Sequence, residues 1–328
     1  MLYVNPDNTG HGEGVRITDK LLASQMAEWN LVRKHYNELE NVLVRSIHMD
    51  NGCIVKVQFN PSRMRSSAAK TDEISIVSRP CFLCLSNLPV QQQGIDFEKK
   101  YIILVNPYPI FRKHLTITLI KHSDQLIAGR FKDMLRLSRF LKDLTVFYNG
   151  PRCGASAPDH FHFQAGSRGF LPVEQEYKKF LQKQIAGHQN VTLSVMEKYY
   201  RYALVISGTD IDIISMFFGE IYNILQKVQG CDSEPLMNIL TLYENGRWQV
   251  FIFPRSTHRP VQFFKKGSGR ILISPASVDL GGVWITPRGE DYEKLDQASV
   301  KDIFSQVTLK STEWEMLLRE LPSAISRL

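Results

Sequence analysis

Residues 160–164 read His-Phe-His-Phe-Gln. Along an extended strand alternate side chains face opposite sides, so His160, His162 and Gln164 share one face while Phe161, Phe163 and Ala165 take the other. Two imidazoles and an amide on one surface can line a cleft, with the apolar set packed behind them. A neutral imidazole is a competent nucleophile toward phosphorus, and a covalent adduct divides one difficult displacement into two easier ones. The remaining task is to hold a phosphate and stabilise its developing charge. Just upstream, Gly154-Ala155-Ser156 offers backbone N–H groups and a hydroxyl suited to cradling an anion. An edge strand with exposed polar residues is the plainer reading of an isolated His-x-His; the small-residue loop and a distant cysteine pair weigh against it.

That pair is Cys81-Phe-Leu-Cys84. The chain has five cysteines, at 53, 81, 84, 153 and 231. An odd number spread through a long chain is not a secreted disulfide framework, so Cys81 and Cys84 read as a metal or redox pair. Arg63, Arg65 and Lys70 lie in a polar stretch that is either a phosphate-binding or a solvated basic loop. A second basic cluster, Arg255, His258, Arg259, Lys265 and Lys266, follows a strand-like run in the second half. It is read either as a contact to the phosphate of a sugar phosphate or acceptor, or as a solvated face.

The elements that must position these groups follow from periodicity. Residues 17–40 read as helical, and His48–Phe59 as a hairpin turning at Asp50-Asn51-Gly52. Tyr101–Val105 and Leu115–Ile120 are β-branched runs read as strands, joined by a connection that begins Asn106-Pro-Tyr-Pro. Apolar positions 131, 134, 135, 137, 140, 141, 144 and 147 predict an amphipathic helix over 129–148, ended by Asn149-Gly150. The second half repeats the unit: a strand at Tyr202–Ser207, a helix over Ile211–Val228, and a hairpin of Met237–Tyr243 with Trp248–Phe253 around Glu244-Asn-Gly246. Trp248–Phe253 then stands where the histidine strand stands in the first half, with Trp248, Val250 and Ile252 in place of the chemical residues. The expected fold class is α+β: two tandem half-domains, each an antiparallel sheet with a packed helix, fused into one body. The boundaries expected are an N-terminal helical and hairpin extension over 1–55, a catalytic half over 56–195, and a degenerate half with a C-terminal helix over 196–328.

Composition sets outer limits. The chain has 328 residues, 43% hydrophobic and 22% charged, long enough for two fused half-domains. A net charge of +7 is scattered along it, which suits an anionic ligand and could suit nucleic acid. No stretch approaches the roughly 18 apolar residues of a membrane span. The first residues carry neither a basic nor an apolar leader region, so a cytoplasmic protein is expected.

Taken together, His160-Phe-His162-Phe-Gln164 after Gly154-Ala-Ser resembles the histidine-triad superfamily in its transferase branch. That branch includes galactose-1-phosphate uridylyltransferase, diadenosine tetraphosphate phosphorylase and the GDP-hexose phosphorylases. It carries Gln where the hydrolase branch has a third His. The resemblance implies that His162 attacks the α-phosphorus, that Gln164 hydrogen-bonds a non-bridging oxygen of the nucleotidyl intermediate, and that Ser156, with Gly154 and Ala155, contacts phosphate. The loop-to-histidine spacing is one residue longer here than in the uridylyltransferase. Arg79-Pro-Cys81-Phe-Leu-Cys84-Leu-Ser-Asn87 is similar to that enzyme's zinc segment. It implies a structural zinc held by Cys81, Cys84, His122 and His160, a closed Cys₂His₂ set. His114 competes with His122 as third ligand, its plainer role being structural. Asn106 and Arg63 are implied to line the nucleotide and phosphate pocket.

The resemblance implies a ping-pong nucleotidyltransferase or phosphorylase that acts on an NDP-sugar or dinucleoside polyphosphate through a nucleotidyl-histidine. Inorganic phosphate or a sugar phosphate would be the acceptor, and the protein a monomer or homodimer. One alternative is a nucleotide hydrolase using the same adduct with water. Another is a zinc-stabilised nucleic-acid-binding protein, disfavoured because the aromatics sit at core spacing and are not interleaved with basic residues.

Overall fold

A computed structural model describes residues 2–4, 12–64, 76 and 79–328. Arg65 and Lys70 lie outside the described residues. The N-terminal helical region is two helices, Glu13–Glu28 and Asn30–Leu39, broken where Trp29 turns extended. The expected hairpin is present as β2 (Leu43–His48) and β3 (Ile54–Phe59). With β14 (Val283–Thr286), which pairs parallel to β3, it makes a small three-stranded sheet.

All other strands form one large sheet. Its first half contains β4 (Gly94–Phe97), β5 (Tyr101–Val105), β6 (His114–Leu119), β7 (Leu144–Asn149) and β8 (His162–Ser167). The second contains β9 (Leu181–His188), β10 (Val191–Met196), β11 (Ala203–Gly208), β12 (Met237–Glu244) and β13 (Arg247–Pro254). With the short parallel edge strand β1 (Leu2–Val4), the order is β1-β4-β5-β6-β8-β7-β12-β13-β11-β10-β9. The two halves are thus the same five-strand unit reflected about a central antiparallel pair, in which Leu240 of β12 stands opposite Phe147 of β7. Each unit sends a helix across after its third strand, Phe131–Phe140 in the first and Ile211–Gln229 in the second. The fold class expected from the sequence is the fold observed, and β13 occupies the place of β8.

One element was read wrongly. The helix expected over 129–148 ends at Phe140, and Leu144–Asn149 is the strand β7. All six β7 residues are buried. A strand covered on both faces loses its two-residue alternation, so its apolar positions fell by chance on helical spacing.

The helices Phe131–Phe140 and Ile211–Gln229 cover one face of the large sheet. Phe161, Phe163 and Ala165 pack there in the same core as Leu135, Leu137, Phe217 and Leu317. The opposite face packs Phe147, Leu240 and Phe251 against Val55, Val57 and Trp284 of the small sheet and Phe304 of the helix Gln297–Val307. A cavity of about 480 Å³ opens between the two sheets.

Candidate active site and metal centre

His162, Gln164, Ser156, Gly154, Ala155, Arg63 and Asn106 all line that cavity. The structure therefore gathers into one space residues taken from β8, the loop before it, the turn after β3 and the end of β5. His160 does not share it. The regular strand begins at His162, and the ring of His160 lies against Cys81 and Cys84 instead.

The tautomer of His162 follows from its partner. Its Nδ1 is 2.9 Å from the backbone carbonyl of His160, and a carbonyl can only accept, so Nδ1 carries the proton. Nε2 is left with the lone pair. Burial pushes the imidazole pKa down to about 4, so the ring is neutral near pH 7. A buried, neutral ring with a free Nε2 can attack an electrophile without first losing a proton.

Gln164 is oriented by the same logic. Ile110 N–H donates to His114 Nδ1 at 3.3 Å, which places the His114 proton on Nε2. That Nε2–H donates to Gln164 Oε1 at 3.0 Å. The Gln164 oxygen is consumed, and its NH₂ remains as the donor group. Burial and the nearby Arg63 charge hold the His114 pKa down at about 3, so it keeps this neutral form. His114 is thereby removed as a rival metal ligand: it sits on Gln164.

Arg63 donates from Nη1 to the Tyr108 carbonyl at 2.7 Å, while its buried Nε has no partner among the described residues. Burial lowers its pKa to about 10, which leaves it charged at neutral pH. Asn106 accepts from Tyr108 N–H (2.9 Å) and donates to Thr116 Oγ1 (3.0 Å), so it shapes the turn as much as it faces the cavity. Gly154 has φ +99°, and a Cβ there would come within 2.6 Å of Ala276 Cβ. Only glycine lets the loop lie this close to the wall.

Several wall residues escaped the sequence reading. Asn149, Trp29 and Asp279 line the cavity, as do His258 and Arg259 from the second half. The second-half basic cluster divides. Arg259 reaches the cavity and donates from Nε to Ser274 Oγ at 3.2 Å. Arg255 is fully buried and is spent on the Val307, Pro275, Thr257 and His258 carbonyls and on Asn238. Lys265 and Lys266 are exposed and do not line it. Only coordinates could sort these roles, because their neighbours come from distant segments.

Cys81, Cys84, His122 and His160 form a second cluster, with ligand atoms all within 4.8 Å of one another. Cys81 Sγ is 3.2 Å from His160 Nδ1, and Cys84 Sγ is 3.2 Å from His122 Nδ1 and 3.6 Å from His160 Nδ1. Tetrahedral ligands at zinc bond lengths would stand about 3.5 Å apart, N to S. His160 Nε2 is 2.8 Å from the Leu119 carbonyl, so Nε2 donates and Nδ1 turns its lone pair toward the sulfurs. The set could hold a metal ion, and its donors suit zinc. Asn87 Nδ2 braces the turn through the Cys81 carbonyl at 2.9 Å, and Arg79 bridges to Asp159 at 3.2 Å, beside His160. Phe82, Leu83 and Leu88 of this turn form part of the cavity wall.

Comparison with known proteins was made on this basis. Residues 21–167 match a family described as a domain of unknown function, DUF4922, and residues 172–327 match the GDPGP1-like C-terminal domain. Curated proteins give no match in sequence. Among solved structures, yeast Ap4A phosphorylase Apa2 superposes with a TM-score of 0.57 at 17% identity, over 85% of this chain and 94% of that one. The same enzyme in complex with Ap4A gives 0.55 at 16% identity, over 86% and 97%. The chain therefore has the fold of the yeast Ap4A phosphorylase, and its second half matches the GDPGP1-like C-terminal domain.

Proposed function

We propose that the protein transfers a nucleotidyl group by a ping-pong mechanism, with an NDP-sugar or a dinucleoside polyphosphate as donor. The observation that carries this is His162 in the cavity, its Nδ1–H tied to a backbone carbonyl and its Nε2 lone pair free beside the Gln164 amide donor. Likeness to an Ap4A phosphorylase supports the class of chemistry at the level of fold.

In the first step His162 Nε2 bonds to the α-phosphorus. The bond from phosphorus to the bridging oxygen breaks, and the sugar phosphate or nucleoside polyphosphate leaves with the electron pair. The imidazolium so formed keeps its Nδ1–H on the His160 carbonyl. Gln164 NH₂ donates to a non-bridging oxygen, Gly154, Ala155 and Ser156 cradle the phosphate, and Arg63 and Arg259 balance its charge. In the second step an oxygen of inorganic phosphate or of a sugar phosphate attacks, the P–N bond breaks, and neutral His162 returns. Gln164 offers hydrogen bonds without the acid–base capacity of a third histidine, which favours these acceptors over water. Zinc on Cys81, Cys84, His122 and His160 would be structural, with no open coordination position.

The test is incubation with α-labelled diadenosine tetraphosphate, GDP-hexose and UDP-hexose, followed by detection of acid-labile label on the protein. Label on the wild type and none on His162→Asn is expected. Failure of every donor to label the wild type would sink the covalent mechanism. Donor consumption at an undiminished rate without phosphate or sugar phosphate would make the enzyme a hydrolase.

A further inference from the structure

Gln125 lies in the connection between β6 and the helix Phe131–Phe140, with no exposed surface. Its position matters because of what happens to the sheet beside His162. β7 and β8 pair from Leu144↔Ser167 to Phe147↔Gln164 and then stop. Continued in register, the next inward-facing rung would set Asn149 opposite His162. Phe161 turns its carbonyl the other way, to Leu119 N–H at the end of β6, at 3.0 Å. Backbone groups alternate along a strand, so the N–H and C=O of His162 both point toward β7. The strands have parted there, and direct partners are missing.

The Gln125 side chain fills that gap. His162 N–H donates to Gln125 Oε1 at 2.8 Å. Gln125 Nε2 donates to the His162 carbonyl at 2.9 Å and to the Asn149 carbonyl at 3.0 Å. The amide plays the part of a peptide group inserted into the ladder. Its own backbone is held too, with N–H on the Pro158 carbonyl (3.0 Å) and C=O accepting from Tyr148 Oη (3.0 Å). Every polar group of the residue is thus engaged.

We infer that Gln125 is a positioning residue that clamps the backbone of His162 where the sheet opens to admit the substrate. The inference rests on His162 being the nucleophile. Strand separation makes room for the Gly154–Ser156 loop and the cavity, and it would leave His162 loose without a substitute rung. An amide of this length is the side chain that supplies one acceptor and two donors at that distance. Asn is too short, and Glu has no donor for the two carbonyls.

The test uses the full chain and whichever of α-labelled diadenosine tetraphosphate, GDP-hexose or UDP-hexose labels the wild type. In Gln125→Ala the single-turnover labelling rate at saturating donor should fall at least tenfold. The donor concentration giving half the maximal rate should stay within twofold, and metal content should match the wild type. Gln125→Glu keeps the length and should be slowed as well; it decides the matter should the alanine variant not fold. Wild-type rates in a folded variant would overturn the clamp. Should no donor label the wild type, the nucleotidyl-transfer reading fails first, and hydrogen exchange at the His162 amide judges the clamp on its own. At least tenfold faster exchange in Gln125→Glu is expected, and equal exchange would overturn it.

Discussion

At the scale of single residues the site is a chain of fixed tautomers. Each ring is set by a neighbour that can only accept or only donate: the His160 carbonyl for His162, Ile110 N–H for His114, the Leu119 carbonyl for His160. His114 does not line the cavity in this arrangement, yet it decides which end of the Gln164 amide is left to face it. In His114→Ala the Gln164 amide is free to turn its oxygen toward the phosphate. One neutral hydrogen bond is worth about 1 kcal/mol, and presenting the wrong dipole adds to that. The labelling rate should therefore drop about tenfold or more. Metal content should not change, since His114 stands away from the cysteines. Loss of the metal in this variant would return His114 to the ligand set and refute the orientation role.

At the scale of elements the first half is tied to the second through Tyr148 at the end of β7. Tyr148 Oη lies 3.0 Å from the Gln125 carbonyl and 2.6 Å from Glu234 Oε1. A hydroxyl has one hydrogen, so it cannot donate to both. The conflict disappears when Glu234 is protonated: Glu234 donates to Tyr148, Tyr148 donates to Gln125, and Ile127 N–H donates to the other carboxyl oxygen at 2.6 Å. Burial accordingly raises the Glu234 pKa to about 7, although Arg130 and Arg152 pull against it. An unfolded glutamate titrates near 4.3. Between those values the folded state holds more protons than the unfolded one, so this group's contribution to stability falls as pH rises toward 7, by about 4 kcal/mol at most. Glu234→Gln mimics the protonated form. It should match the wild type in urea midpoint near pH 4 and exceed it near pH 8; a parallel pH dependence in the two proteins would refute the assignment.

Much of this scale was readable in advance. Strand-helix-strand-strand units recurred in both halves, because each half buries one face against its helix and so keeps clear periodicity. β7 was not readable, since a central strand with Tyr148 and Phe147 covered on opposite sides has no polar face to mark it. Neither were β9 and β10, whose Leu181–Met196 segment mixes charged and apolar residues at an outer edge. The grouping of His162, Gln164 and Ser156 in one cavity was legible. Gln125 and Asn149 were not, because their meaning lies in partners more than 20 residues away.

At the scale of the whole molecule the two sheets and the cysteine turn enclose one cavity, and the turn depends on the cluster behind it. Cys81 and Cys84 lie in an irregular segment with little apolar core of its own: Leu83 and Ala157 are its main buried partners. Such a segment gains its order from cross-links. A metal on Cys81, Cys84, His122 and His160 would join it to the chain leaving β6 and to the chain entering β8. Removing the metal should then act in two ways at once. Phe82, Leu83 and Leu88 would leave the cavity wall, weakening donor binding, and His160 would lose its anchor two residues before His162, slowing the covalent step. Binding energy of a structural zinc counts directly as folding energy. A loss of about 5 kcal/mol in a chain this size lowers the melting temperature by about 7 °C. Treatment with a strong chelator, or Cys81→Ser with Cys84→Ser, should show that drop together with loss of labelling on His162, and zinc should restore both to the chelated protein. A chelated protein with unchanged melting temperature and unchanged labelling would mean that the four residues are a hydrogen-bonded cluster and hold no ion.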